Sequence, residues 1–122
     1  MRRLLIGGGS MSPTLEIGDV ALAVPGGRAR CGDVIAFESR QTPLVHRAIV
    51  VIPWPRGALI VHKGDRRGAG YGTTRSSAVI GRVVAFERGG ERRTLRRRRP
   101  RPSEVLAAVS LLIQRTRRRA FA

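Results

Sequence analysis

Leu44-Val45-His46-Arg47-Ala48-Ile49-Val50-Val51-Ile52, closed by Pro43 before it and Pro53 after it, decides how this chain folds. Aliphatic and β-branched residues suit a pleated, half-buried strand, and proline cannot extend the hydrogen-bond ladder at either end. Alternation places Leu44, His46, Ala48 and Val50 on one face, so one imidazole stands in an otherwise apolar row. The same pattern recurs outward in shorter pieces, at residues 34–37, 20–24 and 4–6 on one side and at 58–62 and 79–86 on the other. Pro25-Gly26-Gly27, Gly32-Asp33, Pro53-Trp54-Pro55 and Gly64-Asp65 separate them. Many short strands at this spacing predict a mainly β fold, a compact, partly closed antiparallel β-domain spanning residues 1–95. Gly89-Gly90 reads as a hairpin turn leading into residues 92–95, and the Gly-, Arg- and Ser-rich stretch 66–77 reads as a loop. Residues 96–122 read as an arginine-rich linker followed by a C-terminal helix. Ser103 is placed to N-cap that helix, with Glu104 in its first turn.

Charge narrows the partners. The chain has 122 residues, enough for one domain with a modest core, and a formal net charge of +16. Such a field draws phosphates, whether of nucleic acid or of an anionic membrane surface. Arg92, Arg93, Arg96, Arg97, Arg98, Arg99 and Arg101 form one basic block; Arg115, Arg117, Arg118 and Arg119 form a second. The second follows the apolar run from Val105 to Ile113, the pattern of an amphipathic helix that docks on the domain or lies on an anionic membrane. No helix-turn-helix precedes the β-domain and no aromatic residues interleave the basic blocks, so nucleic acid is the weaker partner. Cys31 is the only cysteine, which excludes an intrachain disulfide and a cysteine metal cluster and reads as a structural thiol. No metal and no other cofactor is implied. No apolar run approaches the roughly 20 residues needed to cross a bilayer. The expected location is therefore cytoplasmic or peripheral to a membrane, unless an apolar anchor precedes Met1.

Chemistry concentrates at Gly7-Gly8-Gly9-Ser10-Met11-Ser12-Pro13-Thr14-Leu15. Three glycines followed by a serine present a hydroxyl with open space beside it. A serine hydroxyl attacks only when a positioned base takes its proton. The candidates are His46, His62 in Val61-His62-Lys63, and Lys63, the only lysine. A half-buried histidine stays neutral near pH 7 and can accept a proton, and so can a desolvated lysine. Spacing leaves the choice among the three open.

Five stretches in order resemble the landmarks of type I signal peptidases and the related LexA-type self-cleaving proteins. They are Gly9-Ser10-Met11-Ser12-Pro13-Thr14-Leu15-Glu16-Ile17-Gly18-Asp19, Gly32-Asp33-Val34-Ile35-Ala36-Phe37, Val45-His46-Arg47-Ala48-Ile49, Lys63-Gly64-Asp65 and Val79-Ile80-Gly81-Arg82-Val83. The third resembles the version in which histidine replaces lysine, found in archaeal and endoplasmic-reticulum signal peptidases. The resemblance implies a serine endopeptidase with Ser10 as nucleophile, His46 as general base, and Asp65 as the group that orients His46. It also implies a peptide or pre-protein substrate, bound extended, with small side chains in shallow pockets floored by Met11 and Pro13. The position two before the nucleophile, often a second hydroxyl donor in bacterial members, is Gly8 here. Histidine-type members carry a further acid a few residues after the Gly-Asp box, and residues 66–72 contain none. The alternative is a non-catalytic or repressor-like relative that binds nucleic acid or an anionic surface through its arginine tail.

Overall fold

A computed structural model describes residues 1–121, with side chains described through Arg118. Eight strands and one helix follow in order: β1 (Arg2–Leu5), β2 (Val20–Val24), β3 (Val34–Ser39), β4 (Thr42–Trp54), β5 (Gly57–Lys63), β6 (Tyr71–Arg75), β7 (Val79–Arg88), β8 (Glu91–Thr94) and α1 (Pro102–Phe121). The strands form one sheet in the order β1-β2-β7-β3-β4-β5-β6, with β8 hydrogen-bonded to β7. Every pairing is antiparallel, so the mainly β architecture with a C-terminal helix expected from the sequence is the one observed.

Strand β4 changes partners along its length. Residues 42–47 pair with β3, whereas pairing with β5 begins only at Arg47 and runs to Trp54. The first half of β4 therefore has one edge free of β5. A bulge between Ala48 and Val50 shifts the β4–β5 register. One extra residue reverses which side chains share a face. Val50 consequently leaves the face of Ala48 and packs with Ile49, Val61 and Ala108 of α1, while Val51 joins Ile35, Phe37, Ala48 and Ile60. The unbroken alternation through Val50 thus holds only as far as Ala48.

Residues 71–75 are a strand, not the loop expected there. Tyr71, Thr73 and Thr74 favour extended backbone, and the β5 edge from Leu59 to Lys63 gives them a ladder to join. The intervening glycine that suggested a loop has a packing reason. Gly72 lies opposite His62, and a Cβ there would come within 2.6 Å of the imidazole.

The helix begins two residues earlier than expected, with a different cap. Pro102 takes the first helical position, and the Glu104 carboxylate accepts the Arg101 backbone N–H at 2.8 Å. Proline at this position loses no bond, and a glutamate reaching back satisfies an otherwise unpaired donor. Arg101, not Ser103, is the N-cap. Ala108 is fully buried against Ile49 and Val61, so α1 docks on the sheet through one face. Among the described residues no helix is long and apolar enough to cross a membrane.

Candidate active site

The segment from Ile6 to Asp19 leaves the sheet as a loop and returns to it. Ile6 N–H donates to the Asp19 carbonyl and Gly18 N–H to the Ile6 carbonyl, closing the loop at its base. The Asp19 carboxylate caps Glu16 N–H and receives two bonds from Arg88 on β7, at 2.9 and 2.7 Å. Met11 and Leu15, both buried, anchor the inside of the loop in the core beside Ala21, Val34 and Val45. Met11 is therefore core and cannot touch a substrate, which corrects its expected place in the floor of a binding site. Pro13 lies exposed on the loop.

A second set of contacts ties the serine loop to the turn after β5. Arg66 N–H donates to the Ser10 carbonyl at 2.9 Å, Asp65 N–H contacts Met11 Sδ at 3.4 Å, and Thr14 Oγ1 donates to Asp65 Oδ2 at 2.6 Å. The approach is close enough that a Cβ on Gly64 would sit 2.3 Å from the Ser10 carbonyl oxygen, so only glycine fits.

This docking brings Ser10 to His46. The Ser10 Oγ lies 3.2 Å from His46 Nε2, and on the far side of the same ring His46 Nδ1 lies 2.9 Å from His62 Nδ1. Of the proton arrangements that satisfy the row, one leaves His46 Nε2 able to accept the serine proton. Ser10 O–H donates to Nε2 of His46, whose own proton sits on Nδ1 and is donated to Nδ1 of His62. His62 then carries its proton on its other ring nitrogen. The Thr73 backbone acts on His62 in the matching direction, raising its pKa. Phe37 packs against both rings, with centroids 4.4 Å from His62 and 6.0 Å from His46. Burial beside this ring disfavours the imidazolium form. It lowers the His46 pKa below 6.5, an effect that the Asp65 charge opposes and the Lys63 charge reinforces. Burial and the neighbouring His46 push His62 down to about 4.

Asp65, expected to orient His46, is committed elsewhere. Arg47 Nε and Nη2 donate to its two carboxylate oxygens at 2.8 and 2.7 Å, and the Thr14 hydroxyl donates a further bond. Burial alone would raise the Asp65 pKa, but the Arg47 and Thr14 hydrogen bonds outweigh it and hold the carboxyl below its usual range. His62 stands where the acid was expected. The Gly-Asp box thus supplies the close approach to Ser10 and the anchor for Arg47, while the strand residue two before Gly64 supplies the partner of His46. Lys63, the third candidate base, follows His62 and so points to the other face of β5. Its Nζ donates to the carbonyls of Gly64 and Arg66 and sits 6.0 Å from the Tyr71 ring centroid.

The Ser10 N–H has no backbone acceptor among the described residues, leaving it available to a ligand oxygen. Among the described residues no group of three or more His, Cys, Asp or Glu is placed to hold a metal ion. No family model, no curated protein and no solved structure matches the chain.

Proposed function

We propose that this chain is a serine endopeptidase that cleaves an extended peptide by Ser10/His46 acyl transfer, in the manner of the histidine-type signal peptidases it resembles. The observation that carries the reading is the contact of Ser10 Oγ with His46 Nε2, backed by His62 on the opposite nitrogen of the same ring. In this mechanism His46 takes the Ser10 proton as Oγ attacks the scissile carbonyl, and the new charge is shared with His46 rather than left in water. His62 accepts the His46 Nδ1–H, fixing its tautomer and ring plane. The Ser10 N–H faces the developing oxyanion. His46 returns the proton to the leaving amine, and water reverses the sequence on the acyl-enzyme.

The substrate lies along the free edge of β4. Residues 42–46 pair with β3 on one side only and end at His46, so a peptide strand added there runs directly to the reacting atoms. Main-chain hydrogen bonds then supply affinity, and side chains alternate toward and away from the surface. The preference for small side chains next to the cleaved bond follows from the resemblance.

A serine-directed acylating probe tests the reading. Labelling at Ser10 is expected in the wild-type protein and is lost in Ser10→Ala and in His46→Ala. Labelling that survives His46→Ala would sink the proposed base.

A further inference from the structure

Helix α1 carries two apolar stripes, and the sheet covers only one. Ala108, Leu111 and Leu112 face inward, toward Ile49, Val50 and Val61. Val105, Val109 and Ile113 recur every four residues on the outside, with Leu106 beside them, and all four are exposed, Leu106 at 68%. A stripe of this kind on a helix already docked needs a second apolar environment.

The turn between β4 and β5 extends the same surface. Trp54, 55% exposed, shares the wall of a cavity of about 540 Å³ with Leu112 and Thr116 of α1. Leu112 and Thr116 lie three and seven residues after Val109, so they form the row next to it on the helix. The indole thus borders the outer stripe rather than the far side of α1. Arg56, Arg75 and Arg115 line the same cavity, and Arg117 and Arg118 follow, exposed, on the helix.

We infer that this face, Trp54 and the outer stripe of α1 with their arginine rim, docks on an anionic lipid bilayer surface. A bilayer boundary uses every component: the acyl region takes the Leu106 stripe, the headgroup level suits an indole, and lipid phosphates meet the guanidinium groups. Nucleic acid would engage the arginines and leave Leu106, Val109 and Ile113 in water. The net charge of +16 has the matching sign. Docking leaves Ser10 accessible, because α1 covers the face of β5 that carries Val61, and His62 points from the opposite one. The inference goes beyond peptidase activity and does not depend on it.

Trp54 is the only tryptophan, so its fluorescence reports on this face alone. The full chain is mixed with vesicles of phosphatidylcholine, with or without phosphatidylglycerol. The expected result is co-sedimentation with the anionic vesicles only, weakened by salt, with a blue shift of Trp54 emission. Leu106→Glu/Ile113→Glu, at exposed positions whose folding circular dichroism checks, is expected to weaken binding at least roughly ten-fold and abolish the shift. Arg56→Gln/Arg75→Gln is expected to weaken it as well without touching the stripe. Three outcomes overturn the inference: anionic-vesicle binding indifferent to the double glutamate variant, duplex DNA bound more tightly than vesicles, or inorganic phosphate alone shifting Trp54 as vesicles do.

Discussion

His46 and Arg47 are neighbours on β4, they point to opposite faces, and each reaches the serine loop by a different physical device. On the Arg47 face charge is kept and neutralised: the guanidinium is forked onto Asp65, donates to the Gly32 carbonyl at 2.8 Å, and both side chains are over nine-tenths buried. On the His46 face charge is avoided, since burial against Phe37 keeps both imidazoles neutral. A guanidinium never gives up its proton, so the Arg47 side can hold but cannot react. An imidazole held neutral can accept a proton when a nearby group releases one. Position on one face and, in the proposed reaction, proton transfer on the other come from consecutive residues.

The comparison breaks if the two faces respond alike to substitution. His46→Ala is expected to reduce peptidase turnover by about 10²–10⁴-fold while leaving the urea-denaturation midpoint nearly unchanged. Arg47→Ala should do the reverse in kind. It removes both forked bonds from the buried Asp65, leaving the carboxylate only Thr14 and, at 3.6 Å, Arg98, at a cost of up to about 3–5 kcal/mol in unfolding free energy. Activity then falls with the folded fraction, and osmolyte that restores folding restores part of it. A His46→Ala protein as unstable as Arg47→Ala would end the division of labour.

How much of this was readable beforehand follows from the range over which each feature is determined. Most of the strands were legible because aliphatic runs bounded by Gly and Pro are local signals. Ser10 and His46 were legible as candidates, a hydroxyl after glycines and an imidazole in an apolar row, but preferring His46 to His62 and Lys63 took the resemblance. The partner of His46 was not. His62 reaches it only through the β4–β5 register, which a bulge at Ala48/Val50 sets, and no local pattern announces a bulge. Asp65 looked suited to orient a histidine, but Arg47, adjacent in sequence to that histidine, competes for it with two charge-assisted bonds. The strand at 71–75 was hidden by Gly72, a glycine required by an imidazole on the neighbouring strand.

Substitution of His62 sharpens the comparison at its reactive end. Loss of the acceptor for the His46 Nδ1–H removes one hydrogen bond that strengthens as His46 becomes charged, about 1.5–3 kcal/mol, or roughly 10–100-fold in turnover. His62→Ala should therefore lower kcat with little change in KM, and His62→Asn, which keeps an acceptor, should recover part of it. His62→Asp places a carboxylate against His46 and is expected to move the acid limb of kcat/KM upward, from below pH 6.5 in the wild type, where burial holds the base down. A packing role alone would leave that limb in place.

The smallest effect expected is in stability against pH, and it separates the two faces without any substrate. His62 titrates near 4 in the fold against 6.5 when free, so the unfolded chain binds its proton first as pH falls. The stabilisation that comes with neutral His62 is complete above pH 6.5 and drains away between 6.5 and about 4. Asp65 is held below the usual carboxylate range by Arg47 and Thr14 against its burial, so its contribution persists through that window and disappears only at lower pH. Denaturation midpoints of wild type and His62→Gln, measured across the window, should converge as pH drops toward 4, because the variant has no such proton to bind. A gap that stays constant with pH would mean that the imidazole face is not kept neutral by the fold, and the contrast with Arg47 would lose its basis.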